Sequence, residues 1–319
     1  MDQLAIADRR QLRRKLGFWR LVSIALILCA GIAAYVYSNA GQTGAFSRPH
    51  IARVHISGII QDDRELLERL DRIAEANAVK ALVVTITSPG GTTYGGEVLF
   101  KAIRKVAAKK PVVADIRTLA ASAGYMIALA GDRVIAGETS ITGSIGVLFQ
   151  YPQIKTLMDK VGVSLEEIKS SPLKAEPSPF HPPSDAAKAV IQAMIDDSFN
   201  WFVDLVADRR KMPRGEALQL ADGRIFTGRQ ALKLKLVDEL GGDEEIRAFL
   251  NGRKVAKDLE IIEWMAPSTS LPFGLGSAAV AWLKSLGSEA FPLLGNLEKM
   301  GHEKLFLDGL VSVWQVGSD

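Results

Sequence analysis

The sequence predicts an α/β fold in which a parallel sheet is joined by crossover helices. Three observations carry that expectation. Short β-branched runs alternate with amphipathic helical stretches along most of the chain, the pattern of strand–helix–strand units. The run "VKALVVTIT" (79–87) is a continuous β-branched run without turn residues, as a strand covered on both faces would be. Two turns of small residues, "SPGG" (88–91) and "SAGY" (122–125), each fall between a strand and a helix, at the end of the sheet where open α/β folds bind ligands.

Taken in order, a Gly/Ser/Pro-containing linker (38–50) leads into "IARVHISGII" (51–60), whose alternation predicts a strand ending in a glycine turn. "DRELLERLDRIAEA" (63–76) places Leu66, Leu67, Leu70 and Ile73 at helical spacing. The "VKALVVTIT" strand follows, and "SPGG" is expected to break it before the helix "EVLFKAIRKVAAKK" (97–110). "PVVADI" (111–116) predicts a strand, "SAGYMIALAG" (122–131) a helix and "DRVIAG" (132–137) a short strand. A long helix is expected over 185–211 and another over 229–236, with "LEIIEW" (259–264) as a late strand. No tandem repeat occurs, and the tail beyond 265 is a Gly/Pro-interrupted stretch without a readable role.

Composition narrows the functional classes. The 319 residues are 24% charged and 48% hydrophobic, which is ordinary for a folded chain of one or two domains. The net charge of +3 is small and much of the positive charge lies in the first twenty residues, so no basic face suits a nucleic acid. Cys29 is the only cysteine, which rules out an intrachain disulfide and a cysteine zinc site. No metal and no cofactor is expected.

The segment "LVSIALILCAGIAAYVY" (21–37) is free of charge and as a helix would rise about 26 Å, near the lower limit for spanning a bilayer. Arg9, Arg10, Arg13, Arg14 and Lys15 precede it, and no further Lys or Arg follows until Arg48. The positive-inside rule then puts residues 1–20 in the cytoplasm and the body of the chain across the membrane. A cleaved signal peptide is the competing reading, because "SNA" (38–40) has the small-x-small form of a cleavage site. The length of the apolar stretch favours a retained anchor, and both readings export the body of the protein.

Ser122 sits at a strand-to-helix junction, where the free N–H groups of a helix start can hold a developing negative charge. Gly90 and Gly91 lie one strand–helix unit earlier, in "TSPGGT" (87–92). Successive loops of a parallel sheet converge, so an N–H of Gly90 or Gly91 and that of Ala123 are expected to surround one oxygen beside the serine. A serine nucleophile needs a base. Of the four histidines, His50 and His55 flank the first strand, His302 lies in the tail, and His181 alone is a plausible partner. The other candidates are Lys169 and Lys174 in "IKSSPLKAEPSPF" (168–180); a lysine serves as a base once burial lowers its pKa from about 10.4 toward neutrality.

Together with "AASAGYMIA" (120–128), "ITGSIGV" (141–147) and "FTGRQALKLKLVDELGG" (226–242), these motifs resemble the signal peptide peptidase A (protease IV) family. These are membrane-anchored serine peptidases with a Ser–Lys dyad and a Clp/crotonase-like fold of repeated ββα units. The resemblance covers roughly residues 50–250 and the N-terminal anchor, and it implies a peptidase domain over 51–250 followed by an extension, 251–319. It implies Ser122 as nucleophile, Lys174 as general base, and Gly90, Gly91 and Ala123 around the oxyanion. It further implies cleaved signal peptides as substrates at the outer face of the bacterial cytoplasmic membrane. The sites would be shared between subunits of a homo-oligomeric ring. Thr87 stands where the family commonly has Asn or Asp, and Pro172-Leu173 precede the lysine where an aromatic is usual. Two alternatives stand beside this reading: a crotonase-like acyl-CoA enzyme, which also holds an oxyanion with a glycine turn, and an inactive ring scaffold.

Overall fold

The computed structural model describes residues 15, 18–32, 48–265 and 310–313. The chain forms two compact units, one of Met1–Arg48 with Ser268–Glu289, the other of Pro49–Pro267 with Ala290–Asp319. In the first, residues 18–32 are helical, with Leu21, Ile24, Leu26, Ile27, Leu28 and Ile32 exposed. Among the described residues no helix is long and apolar enough to cross a membrane. The expected span 21–37 runs beyond them at residues 33–37.

The second unit is built on a sheet that, among the described residues, has nine strands: β1 (His50–Ile60), β2 (Val79–Thr92), β3 (Val112–Ala121), β4 (Arg133–Ala136), β5 (Ile141–Gly143), β6 (Ile225–Thr227), β7 (Glu239–Leu240), β8 (Ile261–Glu263) and β9 (Val311–Val313). The main path runs β6-β5-β3-β2-β1-β8, with β4 on β3, β7 on β4 and β9 on β2. Every pairing is parallel except β5–β6 and β2–β9. The α/β class and the parallel core therefore stand, with antiparallel additions that local periodicity does not reveal.

Alternation along the strands sorts the core onto two faces. Leu82, Val84 and Ile86 of β2 point to one side, against Leu66, Leu70 and Ile73 of helix Arg64–Glu75 and Leu99 and Ile103 of helix Thr93–Ala107. Ala81 and Val83 point to the other, toward Ile246 and Leu250 of helix Asp243–Gly252. Because β2 is central, both its faces are filled, which is why its sequence lacks polar alternation. Helix Arg64–Glu75 starts where the Asp63 carboxylate accepts from the Leu66 N–H at 2.9 Å; helix Thr93–Ala107 starts where the Thr92 hydroxyl accepts from Gly95 at 3.1 Å. Each cap satisfies a donor that the first helical turn leaves free.

One expectation is corrected. "SPGG" does not end its strand: β2 continues through Ser88–Thr92. Shifts of register against both neighbours, between Ser57 and Ile59 of β1 in the β1–β2 pairing and between Ile86 and Ser88 of β2 in the β2–β3 pairing, let the chain pass the proline and stay in the sheet.

Candidate active site

β3 ends at Ala121, and a six-residue helix, Ala123–Ala128, begins at once. Ser122 makes the whole turn between them, with φ 59° and ψ −120°. Positive φ is uncommon for a residue with a side chain, and a serine held there on a strand-to-helix corner has its Oγ thrust out of the turn. The surroundings hold the corner in place. The Ser122 N–H donates to the Gly143 carbonyl at 2.8 Å and its own carbonyl accepts from Met126 at 2.9 Å. Behind it, the Tyr125 hydroxyl donates to the Leu236 carbonyl at 2.8 Å. Burial pushes the Tyr125 phenol well above its ordinary pKa, so it acts as a neutral donor.

The two glycine-bearing turns converge, as the loop order predicts. A Cβ added at Gly90 (φ +111°) would lie 3.0 Å from the Ser122 Cβ and 2.2 Å from the Ser312 carbonyl oxygen. A Cβ at Gly91 would lie 1.9 Å from the Ile60 carbonyl oxygen, inside β1. The turn is fastened by Ser88, whose hydroxyl donates to the Gly58 carbonyl at 2.6 Å and accepts from the Gly90 N–H at 3.1 Å. The Gly90 N–H is therefore engaged within the turn. Gly91 and Ala123 are the remaining backbone donors of the expected set, Ala123 at the first position of its helix, where no intrahelical acceptor exists.

The Ser122 side chain is buried, and its Oγ shares a hydrogen bond with the Ser312 Oγ. Ser312 belongs to β9, three residues that pair antiparallel with Gly90, Gly91 and Thr92. Sequence reasoning missed Ser312 entirely, since the stretch around it carries no periodic signal.

The candidate bases part company. Lys169 is paired to Glu167 at 2.5 Å and Glu176 at 2.8 Å; those carboxylates hold its pKa above the ordinary lysine range, which disfavours a neutral amine. His181 faces the same carboxylates, 3.2 Å from Glu176 and 3.7 Å from Glu167. Lys174 is exposed, its backbone N–H bonded to Ser171, and among the described residues its ammonium makes no hydrogen bond or ion pair. None of the three bonds to Ser122 within the chain. His50 accepts a hydrogen bond from the Trp264 indole at 3.0 Å and His55 pairs with Glu263 at 2.8 Å, both remote in role from Ser122; His302 lies outside the described residues. No cluster that could hold a metal ion occurs among the described residues.

Comparison with known proteins agrees with this chemistry. A sequence model of peptidase family S49 matches residues 104–256, a span that includes Ser122 and Lys174. A Synechocystis sp. protein named as a protease is 38% identical over 204 residues, covering 64% of this chain and 74% of that protein. An Enterococcus faecium protein named for signal peptide peptidase SppA is 32% identical over 272 residues, 80% of this chain and 78% of the other. The chloroplastic serine protease SPPA of Arabidopsis thaliana is 30% identical over 226 residues, 68% of this chain but only 33% of its own length.

Proposed function

The chain belongs to peptidase family S49 and is a serine peptidase; from that premise we propose that Ser122 is its nucleophile and Lys174 its general base. The observation that carries the reading is the strained corner at Ser122, closed on one side by a glycine turn that only residues without a Cβ can form. Strain of this kind costs about 1–3 kcal/mol and persists where the surroundings impose it.

In this mechanism the Ser122 Oγ attacks a peptide carbonyl while its proton passes to the Lys174 amine. The N–H groups of Gly91 and Ala123 hold the tetrahedral oxyanion, as fixed dipoles that need no reorganisation when charge develops. Gly90, the third residue the resemblance places around the oxyanion, has its N–H held by the Ser88 hydroxyl. The lysine then returns the proton to the leaving amine and activates the water that hydrolyses the acyl-serine.

The family resemblance implies that the base comes from a neighbouring copy in a homo-oligomeric ring, and the burial of Ser122 beside the exposure of Lys174 supports it. Packing against that copy strips water from the ammonium and favours the neutral amine a base must be. The peptidase domain spans 51–250, with the ββα repeats of Clp/crotonase-like folds, and 251–319 is an extension. Residues 21–37 anchor the chain in the bacterial cytoplasmic membrane, with the basic segment 1–20 inside and the peptidase domain outside. The charge-free run, its asymmetric basic flanks and the outward apolar side chains of residues 21–32 support this. The substrates are the remnants of cleaved signal peptides, apolar segments released at that surface.

The test is hydrolysis of an apolar peptide by the full chain. Ser122→Ala and Lys174→Ala should each lose nearly all activity while staying folded, and His181→Ala should keep most of it. Loss in His181→Ala with activity retained in Lys174→Ala would overturn the dyad.

A further inference from the structure

Lys174 belongs to a run of exposed residues, 170–175, between two side chains that are largely covered, Lys169 and Glu176. Within the run the Lys174 N–H donates to the Ser171 carbonyl at 3.1 Å, and Ala175 takes φ 60°, an uncommon value for a residue with a side chain. The ends of the run meet at Glu176. Its carboxylate, 7% exposed, accepts from the Lys169 ammonium at 2.8 Å and from the Ser178 N–H at 3.3 Å, and it lies 3.2 Å from His181 Nε2. Glu167 also pairs with Lys169, at 2.5 Å, and lies 3.7 Å from His181. The two arms of the loop differ in their anchorage. Downstream, Gln153 Nε2 donates to the Ser178 and His181 carbonyls at 2.9 and 2.7 Å, and the Ile154 N–H donates to the Pro179 carbonyl at 2.8 Å. Upstream, among the described residues, 164–170 make no backbone hydrogen bond. Side-chain pairs therefore tie the upstream arm to the anchored one, and Lys169–Glu176 is the shortest that crosses between them.

We propose that Glu176 is a positioning residue: through Lys169 it holds the 170–175 loop in one shape, and so fixes where the Lys174 amine lies when it meets a serine hydroxyl. The inference rests on the assignment of Lys174 as general base. An exposed ion pair would contribute little. Here an ammonium, a backbone N–H and an imidazole converge on one covered carboxylate, and charge-assisted bonds are the stronger kind. The Lys169 ammonium holds the Glu176 carboxyl below the usual carboxylate range, so the tie is ionised at neutral pH. Misplacing a catalytic group by about 1 Å costs on the order of a hundredfold in rate. A lysine carried on a run of exposed residues therefore needs its loop held from the ends.

The test uses the full chain and an apolar peptide substrate. Glu176→Ala should lower kcat about tenfold or more and change KM less than about threefold, because a displaced base weakens only the transition state. Glu176→Gln keeps an acceptor at the same reach and should retain at least about a third of kcat. His181→Ala leaves the Lys169 and Ser178 bonds to Glu176 in place and should keep most of its activity. The shape of the loop is read separately, by cleavage after Lys174 with an added lysine-specific endoproteinase, followed by mass spectrometry. Cleavage there should be about fivefold faster in Glu176→Ala than in the unaltered chain or in Glu176→Gln. Lys169→Met cuts the same tie from the other arm and stands in should Glu176→Ala fail to fold. Undiminished kcat in Glu176→Ala while Lys174→Ala is inactive would overturn the proposal, as would a fall in kcat without faster cleavage at Lys174. Full activity in Lys174→Ala would instead overturn the lysine as base, and the positioning role with it.

Discussion

Gly90 and Ser122 approach so closely that a methyl group on the glycine would lie 3.0 Å from the serine Cβ. The contact joins the end of β2 to the corner after β3, two turns separated by a full helix in sequence. It also separates two kinds of glycine. Gly91 faces backbone, with the Ile60 carbonyl oxygen 1.9 Å from an added Cβ, whereas the space at Gly90 is bounded by Ser122 and by the β9 backbone. Gly91→Ala should therefore destabilise the fold by about 3 kcal/mol. Gly90→Ala should lower hydrolysis at least about tenfold and destabilise less than Gly91→Ala, by about 1–2 kcal/mol for an alanine at φ +111°, because β9 can move aside from the added methyl whereas the Ile60 backbone inside β1 cannot. Melting and hydrolysis of the two variants side by side check this; equal melting temperatures would contradict it.

A second prediction isolates the strain at Ser122. Ser122→Gly and Ser122→Ala both remove the Oγ, and so both lose the bond to Ser312. Only glycine adopts φ 59°, ψ −120° without steric cost. Ser122→Gly should be more stable than Ser122→Ala by about 1 kcal/mol in denaturant unfolding, with both inactive. An alanine variant as stable as the glycine variant would mean the corner is not strained.

A third concerns pH. Burial raises the pKa of Asp115 on β3, with Arg117 and the Thr85 hydroxyl opposing it only in part; Arg53 and Asp243 also act on it, and among the described residues its Oδ1 has no hydrogen-bond partner. A carboxyl raised in the fold favours folding below its unfolded value of about 3.9 and loses that contribution as pH rises through the folded value. Asp115→Asn should therefore gain stability relative to the unaltered chain between about pH 3.5 and pH 7. Melting temperatures across that range decide it, and a gain that shrinks with rising pH would contradict the sign.

How much of this was legible in the sequence varies with the range of the interactions involved. The central strands were readable, because a strand buried on both faces carries a long β-branched run, and the glycine pair at 90–91 marked a crowded backbone. Continuation of β2 past Pro89 was not, since it depends on register shifts against both neighbours. Ser122 stood out by its place between a strand and a helix, but its N–H is held by the Gly143 carbonyl, from outside the motif. Lys169 and Lys174 look alike in a Pro/Ser-rich loop; Glu167 and Glu176 tell them apart only once the chain is folded. β9 was invisible, because three residues without periodicity find their place through long-range pairing with β2 and Leu148.

A fourth prediction tests the shared site. Ser122→Ala and Lys174→Ala proteins, each inactive alone, should recover partial hydrolysis when mixed under conditions that let subunits exchange. Interfaces with an intact serine facing an intact lysine then arise in the mixed assemblies. Confirmed mixed assembly, by tagged co-purification, with activity still at background would place both groups on one chain.

The most direct measurement is the site of covalent modification by a small fluorophosphonate, read by peptide mass spectrometry on the full chain. The account predicts a single adduct on Ser122, absent from Ser122→Ala and nearly abolished in Lys174→Ala. An adduct on any other serine, or undiminished labelling of the Ser122→Ala protein, would contradict the assignment of the nucleophile.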